Sequence, residues 1–96
     1  MTESTPSSGN VFEDLGFSPE EAANLKVRSS LMSSIRMIID HRGLKQAQAA
    51  EQFGVTQPRI SDLMRGKIEL FSIDALINML AHAGHEVAIS VEPRAA

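Results

Sequence analysis

The fold is read from one stretch, Gln46-Ala47-Gln48-Ala49-Ala50-Glu51-Gln52-Phe53-Gly54-Val55-Thr56-Gln57-Pro58-Arg59-Ile60-Ser61-Asp62-Leu63. Up to Phe53 it is short and alanine-rich, which favours a helix, and a glycine just past a helix is its usual stop. Thr56 then supplies an N-cap, and Pro58 stands in the first turn of a second helix, where its missing N–H costs nothing. Because Pro58 biases Gln57 away from helical angles, this helix is expected from Gln57 or one residue later, to Arg65, with Gly66 as its end. Two helices joined by so short a turn cross steeply, and the crossing restricts residue type. Ala50 must be small where the second helix packs over the first, and Gly54 supplies the positive φ of the turn at little steric cost. Val55, Ile60 and Leu63 fill the angle between the helices, and Phe53 faces the core.

Working outward, Ser18-Pro19-Glu20-Glu21 reads as a helix start, with Ser as N-cap, Pro at N1 and Glu21 completing a capping box. Leu25, Leu31, Ile35, Ile38 and Ile39 recur at helical spacing up to Arg42-Gly43, a cation followed by a stop glycine. Serines at 29, 30, 33 and 34 lower the propensity there, so two segments or one bent helix both fit. On the other side, Ser72 with Asp74 opens a helix through Ala83 that Gly84 closes. Val87, Ile89 and Val91 alternate within 86–92 as in a half-buried strand, which Pro93 ends. Residues 1–10 carry no apolar periodicity and read as a mobile tail. Val11 to Phe17 is too short to stand alone and should dock on something. The expectation is one domain over 11–96, all-α, with five helices and a short C-terminal β-strand.

A chain of 96 residues has room for one core. No apolar run exceeds three residues, so neither a membrane span of roughly twenty nor a signal-peptide core can be drawn, and a cytoplasmic location is the default. With no cysteine there is no disulfide, zinc finger or thiol nucleophile. The net charge of −3 conceals a segregation: residues 1–25 carry −5, residues 26–67 carry +5 and residues 68–96 carry −3. A polyanion responds to the local field of the basic middle, not to the total.

The block from Gln46 to Leu63 resembles the helix-turn-helix of the phage repressor and Cro type, the XRE family, with five constrained positions agreeing in one contiguous run. The likeness extends from Val11-Phe-x-Asp-Leu-Gly-Phe17 through Gly43-Leu-x-Gln46, Gln57-Pro-Arg-Ile-Ser61 and Leu63-Met-Arg-Gly-Lys67 to Phe71-Ser72. This set is similar to a small XRE subfamily that includes HigA-like antitoxins and related stand-alone regulators. The resemblance implies a lambda-repressor-like domain acting as a dimeric transcription regulator on double-stranded DNA, most simply a repressor. The alternative it implies is an antitoxin that binds a RelE-like toxin and autoregulates its operon. In the related repressors the residues matching Gln46 and Gln57 cooperate, one on phosphate and one on a base.

The residues support DNA binding on their own account. A helix of roughly ten residues fits the major groove, and side chains near its N-terminus reach base edges. Here those are Gln57, Arg59, Ser61 and Asp62, with the cap Thr56 beside them. Gln pairs with adenine and Arg with guanine in bidentate fashion, each worth about 1–3 kcal/mol of discrimination, and Arg59 is the first choice for base reading. Pro58 offers an apolar edge to a thymine methyl. Arg65 and Lys67, past the helix end, suit phosphates. Asp62 either accepts from a cytosine amino group or pairs with Arg59 or Arg65 and orients them, the second being favoured since a lone carboxylate near phosphates is repelled.

Other chemistry is set aside. His82 and His85 have a spacing that can share a metal, but nothing joins them and Gly84 lies between, so no metal or cofactor is expected. His41, near a helix C-terminus, is most simply a dipole partner. No His–Asp set stands ready to activate the serines, so an enzyme is not expected. The strand 86–92 needs a neighbour for its backbone groups and for Val87, Ile89 and Val91. That neighbour is the same strand of a second chain, the Val11–Phe17 segment or a partner protein. A symmetric homodimer is the favoured choice and would set two reading helices about 34–36 Å apart.

Overall fold

The computed structural model describes residues 10–94, so the tail expected over 1–10 lies outside the described residues except for Asn10. Asn10 is a structural residue: its Oδ1 accepts from the Phe12 N–H at 2.9 Å and its Nδ2 donates to the Ala22 carbonyl at 2.9 Å. It thereby caps α1 (Val11–Asp14) and ties it to α2 (Pro19–Arg42) over the fully buried Ala22. The short apolar segment that needed a docking surface is this single helical turn.

α2 is one continuous helix of 24 residues, about 36 Å long at 1.5 Å per residue, which settles the choice between one helix and two. Ser18 caps it by accepting from the Glu21 N–H at 3.2 Å. The serines are absorbed without a break; Ser34 Oγ donates to the Ser30 carbonyl at 3.2 Å inside the helix. Its end is a Schellman motif on Gly43, with Gly43 N–H on the Asp40 carbonyl and Leu44 N–H on the Ile39 carbonyl.

α3 (Gln46–Phe53) and α4 (Gln57–Met64) follow, then a 3₁₀ turn (Ile68–Leu70) and α5 (Ile73–His82). Ser72 caps α5, accepting from the Ala75 N–H at 3.1 Å. The core is built from Met32, Ile35 and Ile39 of α2, Ala49, Ala50 and Phe53 of α3, Ile60 and Leu63 of α4, Phe71, and Leu76, Met79 and Leu80 of α5. An eight-residue helix is not stable by itself in water. Full burial of Ile60 and Leu63 contributes about 1.5–3 kcal/mol each, which is what holds α4 against the body.

The C-terminal strand expected over 86–92 is corrected: among the described residues there is no strand. A strand exists only as part of a hydrogen-bonded ladder, and among the described residues this segment has no extended neighbour to pair with. Val11–Asp14 is helical, which removes it as a strand partner. Val87 packs half-buried against the core, whereas Ile89 and Val91 are 71% and 93% exposed. At its far end Arg94 Nη2 donates to both carboxylate oxygens of Glu13, at 2.8 and 2.7 Å, which ties the segment to α1.

Candidate nucleic-acid interface

The angle between α3 and α4 is set at Gly54, which adopts φ +70°. Its N–H donates to the Glu51 carbonyl at 3.3 Å and that of Val55 to the Ala50 carbonyl at 3.0 Å, so the turn is the same Schellman motif that ends α2. The His82 ring covers it from α5, its Nδ1 3.0 Å from the Gln52 carbonyl. A Cβ at residue 54 would meet three atoms of that ring at 2.7 to 2.9 Å. Gly54 is therefore required both by its dihedral and by the close approach of α5.

Thr56 Oγ1 accepts from the Arg59 N–H at 3.4 Å and starts α4 at Gln57. With Ile60 and Leu63 turned inward, the 3.6-residue period leaves Gln57, Pro58, Ser61, Asp62 and Arg65 along the other side. Gln57, Pro58 and Arg65 are exposed, and Ser61 and Asp62 half-buried. Gln46 occupies the first position of α3 as Gln57 does of α4, and both are exposed. The first position leaves their own N–H groups without helical partners, facing outward at the positive end of each helix.

Three side chains sit otherwise than the sequence reading expects. Arg59 does not project: its Nη1 donates to the Leu70 carbonyl at 3.0 Å and its guanidinium lies 4.4 Å from the centroid of the Phe71 ring. Asp62 approaches Lys67, carboxylate to ammonium 3.9 Å, and not Arg59 or Arg65. That contact is long and open to water, so it orients Lys67 weakly at most. Arg36, one of the basic residues of 26–67 and expected to face away from the apolar stripe of its helix, lines an open groove of about 250 Å³ with Ser29, Ser33 and Gly66, the last of which stands between Arg65 and Lys67 in the chain. In the period of α2 it stands one turn after the buried Met32, with Ser29 and Ser33, at the border of the apolar stripe, and that is the signal in the sequence.

The basic middle thus divides by role. Arg28 donates to the carbonyls of Ile68 at 3.3 Å and Phe71 at 3.4 Å, and Arg42 to Gln52 Oε1 at 2.6 Å. Arg42 Nη2 also lies 3.1 Å from His85 Nε2, so the two histidines face different partners. These arginines, like Arg59, hold elements together. Arg36, Lys45 and Arg65 lie on the exposed surface, as Arg42 itself does. No helix among the described residues is long and apolar enough to cross a membrane.

Residues 11–92 match the helix-turn-helix domain family. Among solved structures, one described as a candidate XRE family transcriptional regulator is 31% identical and superposes with a TM-score of 0.71, over 79% of this chain and 90% of that one. No curated protein matches the chain.

Proposed function

The chain belongs to the helix-turn-helix domain family and is of the XRE type, and from that premise we propose that it is a sequence-specific DNA-binding transcriptional regulator acting as a repressor. The observation that carries this reading is α4: pinned by Ile60 and Leu63, opened by the Gly54 turn, and polar along its outer side. A helix is about 10–12 Å across with its side chains, which fits the major groove of about 12 Å.

Gln57 and Ser61 read base edges by hydrogen bonds, Pro58 meets a thymine methyl, and Asp62 accepts from a cytosine amino group. Gln46, Thr56, Arg65 and Lys67 contact the backbone, and Arg36 extends that contact along the groove beside Gly66. Binding is by a symmetric dimer. What supports this is the C-terminal segment, with exposed Ile89 and Val91 and a groove of about 220 Å³ along Val27, Leu31, Ile73 and Ile77 beside Val87 and Ile89. The same segment of a second chain would supply the missing ladder. No step of this function is catalytic.

Selection of bound duplexes from a random pool tests the reading. The expected result is an enriched inverted repeat with half-sites about one helical turn apart, and failure to enrich any sequence refutes it. Sedimentation of Val91→Glu, expected as a monomer where the parent is a dimer, tests the interface. The antitoxin alternative draws on the exposed acidic residues Asp14, Glu20 and Glu21 at the α1 end, a surface complementary to a basic, RelE-like toxin. Co-purification with a small basic protein would support it.

A further inference from the structure

Arg59 is the residue of α4 whose place in the structure departs most from what its chemistry suggests. It lies four positions before Leu63, on the same side of the helix, and Leu63 is fully buried. Its side chain therefore leaves α4 toward the body of the protein and lines a groove of about 280 Å³ with Ala75, Asn78 and Met79 of α5. There the guanidinium faces the Phe71 ring and bonds the Leu70 carbonyl. From α2, Arg28 bonds the carbonyls of Ile68 and Phe71. The 3₁₀ turn and the residue after it are thus bracketed by two arginines, one from α2 and one from α4. The Ile68 carbonyl already accepts from the Phe71 N–H at 3.2 Å within the turn, whereas those of Leu70 and Phe71 come at and past its end, where the turn supplies no further N–H.

We infer that Arg59 is a positioning residue for base recognition, which sets the angle of α4 against the 3₁₀ turn and α5 by its hold on Phe71 and Leu70. This rests on the DNA-binding reading and deepens it. A planar guanidinium stacked on an aromatic face and bonded to a carbonyl has one orientation, and Lys cannot reproduce it. To reach guanine the side chain would have to give up both contacts. While it keeps them, the outer residues Gln57, Pro58 and Ser61 are presented in one register, and the entropy of ordering them is not charged to DNA binding.

The consequence separates positioning from reading. Phe71 is 1% exposed and cannot touch DNA, so any effect of Phe71 on base preference must pass through the protein. Titration of the selected duplex and of its single-base variants compares the parent chain with Arg59→Met, Phe71→Leu and the double variant, each checked for folding by circular dichroism. The expected result is a loss of affinity of about tenfold in each single variant, the size of one such lost interaction. Discrimination should flatten at every base pair under α4, and the double variant should be no more than about twofold worse than the poorer single one. If Phe71→Leu does not fold, Arg59→Lys takes its place: it keeps the charge and should flatten the same profile.

Loss of preference at one base pair alone in Arg59→Met, with Phe71→Leu or Arg59→Lys unchanged in profile, overturns the inference and makes Arg59 a reader. An Arg59→Met variant with affinity and profile intact also overturns it. If the parent chain selects no duplex, the regulator reading has failed, a result distinct from either.

Discussion

Gly54→Ala is the substitution whose cost can be worked most fully from the structure, because Gly43 provides its control. Both glycines end a helix in the left-handed region, at φ +70° and +63°. An alanine there costs about 1–2 kcal/mol, less about 0.4–1 kcal/mol regained from a stiffer unfolded chain. At Gly43 nothing lies within 4 Å of the added Cβ, so the net cost should stay near 1 kcal/mol. At Gly54 the Cβ would stand 2.7 Å from His82 Cδ2, well inside the optimum carbon separation of about 3.5–4.0 Å, and the ring must move. Moving it gives up the 3.0 Å contact with the Gln52 carbonyl. That adds about 0.5–1.5 kcal/mol for the bond and a similar amount for an off-rotamer ring. Gly54→Ala should therefore lose about 2–4 kcal/mol, or about 8–30 °C in a domain of this size. Urea unfolding at unchanged m gives the difference directly. In a His82→Ala background the Gly54→Ala penalty should drop to the Gly43→Ala value. Equal penalties at the two glycines in the parent chain would refute the claim that α5 sets the tightness of the α3–α4 turn.

Lys67→Ala is expected to weaken selected and unrelated duplexes by the same factor and to lower the slope of log affinity against log salt by about one, read by anisotropy titration. A shift in base preference would instead place Lys67 at a base. Thr56→Ala removes the α4 cap and should cost about 0.5–2 kcal/mol in thermal unfolding, with no cost pointing to a solvated helix start. Arg94→Gln should speed amide exchange over residues 88–92 and leave the thermal midpoint in place, since the tie to Glu13 is at the surface. The Glu13 hydrogen bond, and after it the Glu13 charge, raise the Arg94 guanidinium above its ordinary range. A raised folded value means that this contribution is complete below the ordinary arginine value and is lost only as pH climbs through the higher one. Between about pH 6 and 9 exchange of the segment should therefore show no Arg94-dependent step, and a step would contradict the assignment.

The sequence by itself determined everything that depends on residues a few positions apart. Ser18, Thr56 and Ser72 as caps and Gly43, Gly54 and Gly66 as stops place the helix ends, because capping and left-handed turns are local backbone chemistry. Alternating burial in α4 follows in the same way from Ile60 and Leu63. Tertiary structure alone decided what long side chains and unpaired segments do. Arg59 is drawn inward by a carbonyl and a ring that lie eleven and twelve residues onward, brought near only when the chain turns back at Gly66. Residues 86–92 carry a strand's alternation, but a strand is a relation between two segments, and among the described residues no second one pairs with it. Local pattern states what a segment is able to form, and the distances that folding brings to contact range decide which partner it meets.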